Sequence, residues 1–180
     1  MSVLVWLLAA AMAISGCGGG IMNGTAGIGS GGDGTAVHNA APPGMEGYVT
    51  AIDGGRMLVV DPVPKDFSST GGVSEFYEAI WFSGKPDHVE VGQKVQVWFD
   101  IVAESYPGQS AALKVRVMTS PKPQNADLSE AEAIREALSG QSFEWPVGIR
   151  DVSYDPDRDV WTVQVRHEGE TITIEVEDRK

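Results

Sequence analysis

The chain has 180 residues, with 25 Asp and Glu against 13 Lys and Arg, 22 Gly, 10 Pro, three His and one Cys, for a formal net charge of −12. That excess of negative charge argues against nucleic-acid binding, which draws on basic groups that release counterions from phosphates. A single Cys excludes an intramolecular disulfide and any multi-cysteine metal site, so stability has to come from packed apolar cores.

From Val3 to Ile14 the residues form an uncharged apolar run of twelve, whereas a bilayer-spanning helix takes about 20. The run fits the apolar middle of a secretory signal. Only Met1-Ser2 precede it, without the Lys or Arg that usually opens a signal, which points to a start upstream of Met1. Ile14-Ser15-Gly16-Cys17 resembles the lipobox of bacterial lipoproteins, in which the cysteine receives a diacylglyceryl group and becomes the mature N-terminus. The resemblance implies a lipoprotein signal peptide over 1–17, lipidation at Cys17, and anchorage at the outer face of the cytoplasmic membrane. Two acyl chains, at about 0.8 kcal/mol per buried CH₂, hold persistently where one does not. An anionic chain gains nothing from an anionic bilayer, so the lipid must do the holding.

Residues 18–44 carry ten glycines and one charge, Asp33, and read as a disordered tether with a reach of roughly 30 Å. Gly27-Ile28-Gly29-Ser30-Gly31-Gly32 matches the dinucleotide pattern G-x-G-x-x-G, but neither a strand nor a helix flanks it, so it reads as linker.

A first domain is expected over 45–120. Gly47 to Ile52 leads through Asp53-Gly54-Gly55 into Met57 to Val60, a hairpin in which Asp-Gly would supply the positive φ angles of the tight turn. Ala79–Phe82, Val95–Phe99 and Leu113–Val117 add three strands, and the set suggests a small barrel. Tyr106-Pro107-Gly108-Gln109 fits a type II turn. Residues 91–98 and the run Glu104-Ser105-Tyr106-Pro107-Gly108-Gln109-Ser110-Ala111-Ala112 resemble the YobA-type domain of unknown function found in lipoproteins of Gram-positive, spore-forming bacteria. That resemblance implies an OB-like small β-barrel on a lipid tether and transfers no catalytic residue. Tyr48, Trp81, Phe82, Trp98 and Phe99 serve as core or as a stacking platform, core being favoured in so small a domain. Glu104, Tyr106 and Gln109 are candidate ligand-binding residues beside the turn, with bracing of the loop as the alternative for Glu104 and Tyr106.

Residues 121–126 form a Pro-rich linker, and a second unit is expected over 127–180. Ser129-Glu130-Ala131-Glu132 is a capping box that opens a short helix, with Ala131, Ile134 and Leu138 on its buried face and Ser139-Gly140 as its stop. Three strands follow as a meander, with Trp161, Val163 and Val165 facing one way and Ile172, Ile174 and Val176 repeating the pattern. The expected fold is therefore α+β, a barrel followed by a helix packed on a three-stranded antiparallel meander. The helix-then-meander order resembles PepSY-like and cystatin-like units, which implies peptidase inhibition or extracytoplasmic protein contact.

Asp155, Asp157 and Asp159 have the alternate spacing of a calcium loop, but Val160 and Arg166 stand where Gly and a bidentate Glu are needed, so they read as a solvated turn and weak calcium candidates. His38, His88 and His167 lack ligand-pair spacing and read as solvated. No hydrolase, metalloprotease or phosphate-loop signature occurs, which leaves a carboxylate-pair hydrolase as the minority reading and calls for no cofactor. The function expected is a non-enzymatic, membrane-anchored binding module for a protein or envelope component; the alternative is a regulator of an extracytoplasmic peptidase.

Overall fold

A computed structural model describes residues 41–144 and 146–179. The signal segment, Cys17, the glycine-rich tether and His38 lie outside the described residues. Among the described residues no helix is long and apolar enough to cross a membrane.

Strands β1 (Met45–Asp53) and β2 (Arg56–Val60) form the expected hairpin. Its two central residues are Gly54 and Gly55, with φ of 54° and 80°, so the turn is Gly-Gly, and Asp53 pairs with Arg56 instead of turning. A bulge at Thr50 bends β1: Met45 to Tyr48 pair with β4, and Val49 then exchanges backbone bonds with the Gly92-Gln93 loop. β3 (Ala79–Ser83), β4 (Lys94–Trp98) and β6 (Lys114–Val117) fall on the apolar runs.

β5 (Gly108–Ala111) was not expected, and it pairs parallel with β3. The expected type II turn is therefore corrected. The peptide before Pro107 is cis, and Gly108 is outside the left-handed region and opens a strand. Its lack of a side chain permits close packing instead, since a Cβ there would lie 2.8 Å from Val102 Cγ1.

The sheet order is β5-β3-β2-β1-β4-β6. Among the described residues no ladder joins β5 to β6, so the expected closed barrel is corrected to a six-stranded mixed sheet. The reason is that both margins are one stretch of chain. β5 serves β3, and after Ala112-Leu113 the chain turns to serve β4 as β6, with Ala112 N donating to Ser83 O at 3.0 Å and Leu113 N to Trp98 O at 2.8 Å.

β2 and β3 are buried on both faces. Met57, Val59, Ile80 and Phe82 pack on one, and Leu58, Val60, Ala79 and Trp81 on the other; each fully buried side chain of this size contributes about 1.5–3 kcal/mol. Phe82 stacks on Phe99 at 5.1 Å while Trp81 faces the opposite way, so these aromatics are divided between two cores and form no single platform.

The second region follows its expected order: α1 (Glu130–Ser139), then β7 (Gly148–Asp155), β8 (Val160–His167) and β9 (Glu170–Glu177) as an antiparallel meander. The capping box forms, with Glu132 N donating to Ser129 Oγ at 3.4 Å and Ser129 N to Glu132 Oε2 at 2.8 Å. The buried helix face is Ala133, Ile134 and Ala137, while Ala131 and Leu138 are half-buried flanks; Gly140 ends the helix in a right-handed conformation. Trp161, Val163, Val165 and Val176 are buried as expected.

Two features bind this region together and to the first sheet. Asp178, 3% exposed, accepts from Asp127 N at 2.5 Å, Leu128 N at 2.8 Å and Trp161 Nε1 at 2.9 Å. Burial pushes its carboxyl up, but these donors and Tyr154 outweigh burial and hold it below the usual carboxylate range. Gly92, at φ 92°, lies so close to α1 that a Cβ would stand 2.1 Å from Ala131 O.

Gly92→Ala is expected to cost about 2–4 kcal/mol, through both the left-handed backbone and the clash, as read by urea unfolding. Asp178→Asn is expected to cost roughly 3 kcal/mol at pH 7, because buried donors lose a charged acceptor. A carboxyl whose pKa is depressed by folding stabilises fully above its unfolded value of 3.8, and that contribution fades as pH falls through the lower folded value. The stability gap between wild type and Asp178→Asn should therefore shrink as pH falls from about 5 toward about 2, through and below the ordinary carboxylate value; a gap constant with pH would contradict the assignment.

Candidate functional site

Two loops and a strand end converge on a cleft. After β2 the chain is fixed by Val63 N donating to Asp61 Oδ1 at 2.9 Å, by reciprocal backbone bonds between Lys65 and Phe76 at 2.8 and 2.9 Å, and by a 3-10 turn at Ser68–Thr70. These bonds set Glu75, Phe76 and Tyr77 at one wall. Opposite, β8 ends at Arg166 and His167 and turns through Glu168 and Gly169, at φ 47° and 83°. The backbones approach because Gly148 of β7 has no side chain: a Cβ there would lie 2.8 Å from the Tyr77 ring. The cleft, open to solvent on one side, has a volume of about 350 Å³, within the lower range of small-ligand pockets.

Glu75 sits between two guanidiniums, Arg150 Nη1 at 3.3 Å and Arg166 Nη2 at 3.0 Å. Arg166 Nη1 also donates to Thr171 Oγ1 at 3.2 Å. Charge within this trio is largely spent on holding the wall in place. Tyr106, 55% exposed, donates its hydroxyl to Tyr77 O at 3.0 Å and sets its ring 5.2 Å from that of Phe76. Burial raises the pKa of Tyr106, and burial with Glu75 raises that of Tyr77 against the opposing Arg150 and Arg166, so both hydroxyls stay protonated at neutral pH.

Of the three residues singled out near the Pro107 turn, only Tyr106 reaches the cleft. Its bond goes across to β3's approach rather than to its own loop. Glu104 is exposed on that loop, and Gln109 is exposed in β5 opposite Trp81, with its carbonyl accepting from Ala103 N at 2.8 Å. Asp155 accepts from Asp157 N at 3.0 Å and Arg158 N at 3.3 Å, and Asp159 accepts from Tyr154 OH at 2.7 Å. Those acids build a hairpin turn. The Asp159 bond lifts Tyr154 to about 12. Among the described residues no three His, Cys, Asp or Glu side chains are grouped as a metal ion would require.

His88 is exposed, as expected. His167 is not: it is half-buried, its ring lies 5.1 Å from Phe143, and its Nδ1 is covered and has no hydrogen-bond partner among the described residues. The expected solvation fails because the Phe143 ring lies against His167 and Gly148 pairs with the neighbouring Arg166. Glu75, Tyr77, Arg166 and His167 carried no local signal in the sequence, since they meet only through the docking of two sheets.

Tyr106→Phe removes one hydrogen bond but no ring contact, so it is expected to cost about 1 kcal/mol in thermal or urea unfolding and to speed amide exchange in residues 73–77.

No curated protein and no solved structure matches the chain. Residues 46–119, which span the six-stranded sheet and stop short of α1, match the family model described as "Protein of unknown function (DUF3221)", and to that extent the chain contains a domain of unknown function.

Proposed function

We propose that this chain is a lipid-anchored, extracytoplasmic and non-enzymatic binding module, held by Cys17 at the outer face of a cytoplasmic membrane and presenting the cleft to a protein or envelope component. The observation that carries the binding role is the cleft itself, aromatic-walled and preorganised by Tyr106–Tyr77 and Glu75–Arg150–Arg166 contacts. Glu75 and Arg166 already pair with each other at 3.0 Å, an arrangement suited to fixing the shape of the wall. The apolar run, the lipobox-like tetrapeptide and the glycine tract support the anchor.

The YobA-type identity of 45–120 and its Gram-positive setting belong to the same proposal, supported by the match of residues 46–119 to a domain of unknown function. A second reading, a PepSY-like regulator of an extracytoplasmic peptidase, is supported by the helix-plus-meander region, and slowing of a secreted protease by the purified chain would favour it.

A photo-crosslinker at Val73, at the cleft mouth and 59% exposed, should capture a defined partner on intact cells that the same group at Leu113, 65% exposed and away from the cleft, does not. Identical capture from both positions would overturn the binding role. Cys17→Ser is expected to move the protein from the membrane fraction to the soluble fraction; retention in the membrane would defeat the anchor.

A further inference from the structure

The chemistry of the cleft narrows what it can hold, on the reading that it is a binding site. Phe76, Tyr77 and Tyr106 all line it, and the Phe76 and Tyr106 rings are tilted at 44° to each other. Ring faces are negative and attract cations, most strongly where water is partly excluded. The hydroxyl bond from Tyr106 to Tyr77 O fixes one ring in advance, so little ordering is left for a ligand to impose.

The charges point the same way. Glu75 is matched by Arg150 and Arg166, whereas Glu144 and Glu168, which also line the cleft, are exposed and form no ion pair or hydrogen bond with another described residue. The local balance is negative, as is that of the whole chain. Donors for an anion are committed or covered: Arg166 Nη1 and Nη2 are on Thr171 and Glu75, while Arg166 Nε and His167 Nδ1 are shut off from solvent. An entering anion would meet two uncommitted carboxylates first.

We infer that the cleft receives an alkylammonium group, its charge over the rings of Phe76, Tyr77 and Tyr106 and facing Glu144 and Glu168. A cavity of about 350 Å³ admits such a head group with part of its chain.

The test is calorimetric titration of the full chain at low ionic strength with choline, with Nα-acetyl-lysine amide, and with acetate as the anionic control. Saturable binding of at least one ammonium and none of acetate is expected; which ammonium binds tells a quaternary envelope group from a protein lysine. Tyr106→Phe keeps the ring but loses the bond that fixes it and should weaken binding by less than Tyr106→Leu, which should weaken it about tenfold; Glu144→Gln with Glu168→Gln together should weaken it by a similar factor. Glu104→Gln, outside the cleft, should change nothing. Binding of acetate, ammonium binding indifferent to Tyr106→Leu and the double variant, or saturation by neither ammonium would each overturn the inference. Crosslinking from Val73 to a defined partner in the last case would leave the binding role itself standing.

Discussion

The described fold depends on a steric constraint: at two glycines the backbone must come closer to its neighbour than a side chain allows. At Gly92 the loop before β4 meets the first turn of α1, and at Gly148 the second sheet meets the Tyr77 ring. These contacts turn a six-stranded sheet and a helix-covered meander into one unit spanning Ala40–Lys180. Within that unit β2 and β3 are buried on both faces, unlike a free-standing small sheet that is wet on one. The Tyr48 hydroxyl, 2.7 Å from Glu130 Oε1, and the Arg135–Glu90 pair reinforce the same junction, and burial, helped by the bond to Glu130, raises the Tyr48 pKa.

Charge is used in two different ways. Most ion pairs, such as Arg158–Glu175 with both side chains 55% exposed, lie in water and contribute little beyond local order. Asp178 differs because its acceptors are enclosed and fully used, so one carboxylate ties the end of β9 to the entry of α1 and to the Trp161 indole. Loss of that tie would uncap the helix approach and strand an indole N–H together.

Local chemistry was readable wherever a short stretch determines its own shape. Ser129 to Glu132 announced the helix, and the alternation of Trp161, Val163 and Val165 announced a buried strand face. β5 was hidden because Gly-Gln-Ser-Ala has weak strand preference and follows a Pro-Gly that imitates a turn; its pairing with β3 is decided by tertiary contact. The helix face was displaced because the meander meets Ala133 and Ala137, whose small size lets the helix approach. The cleft was invisible for a related reason. Its residues come from positions 73, 75–77, 106, 144, 146, 148 and 166–169, and no periodicity within one segment records a meeting between segments.

The jog at Ala112-Leu113 has a mechanical meaning. Since the two outermost strands of the larger sheet are consecutive lengths of one chain, the two-residue jog, bonded to Ser83 O on one side and Trp98 O on the other, tethers each margin to the other and limits how far either can stray. The link joins the two margins along the chain without closing them by a ladder, so the sheet combines a tie between its borders with the edges of an open sheet.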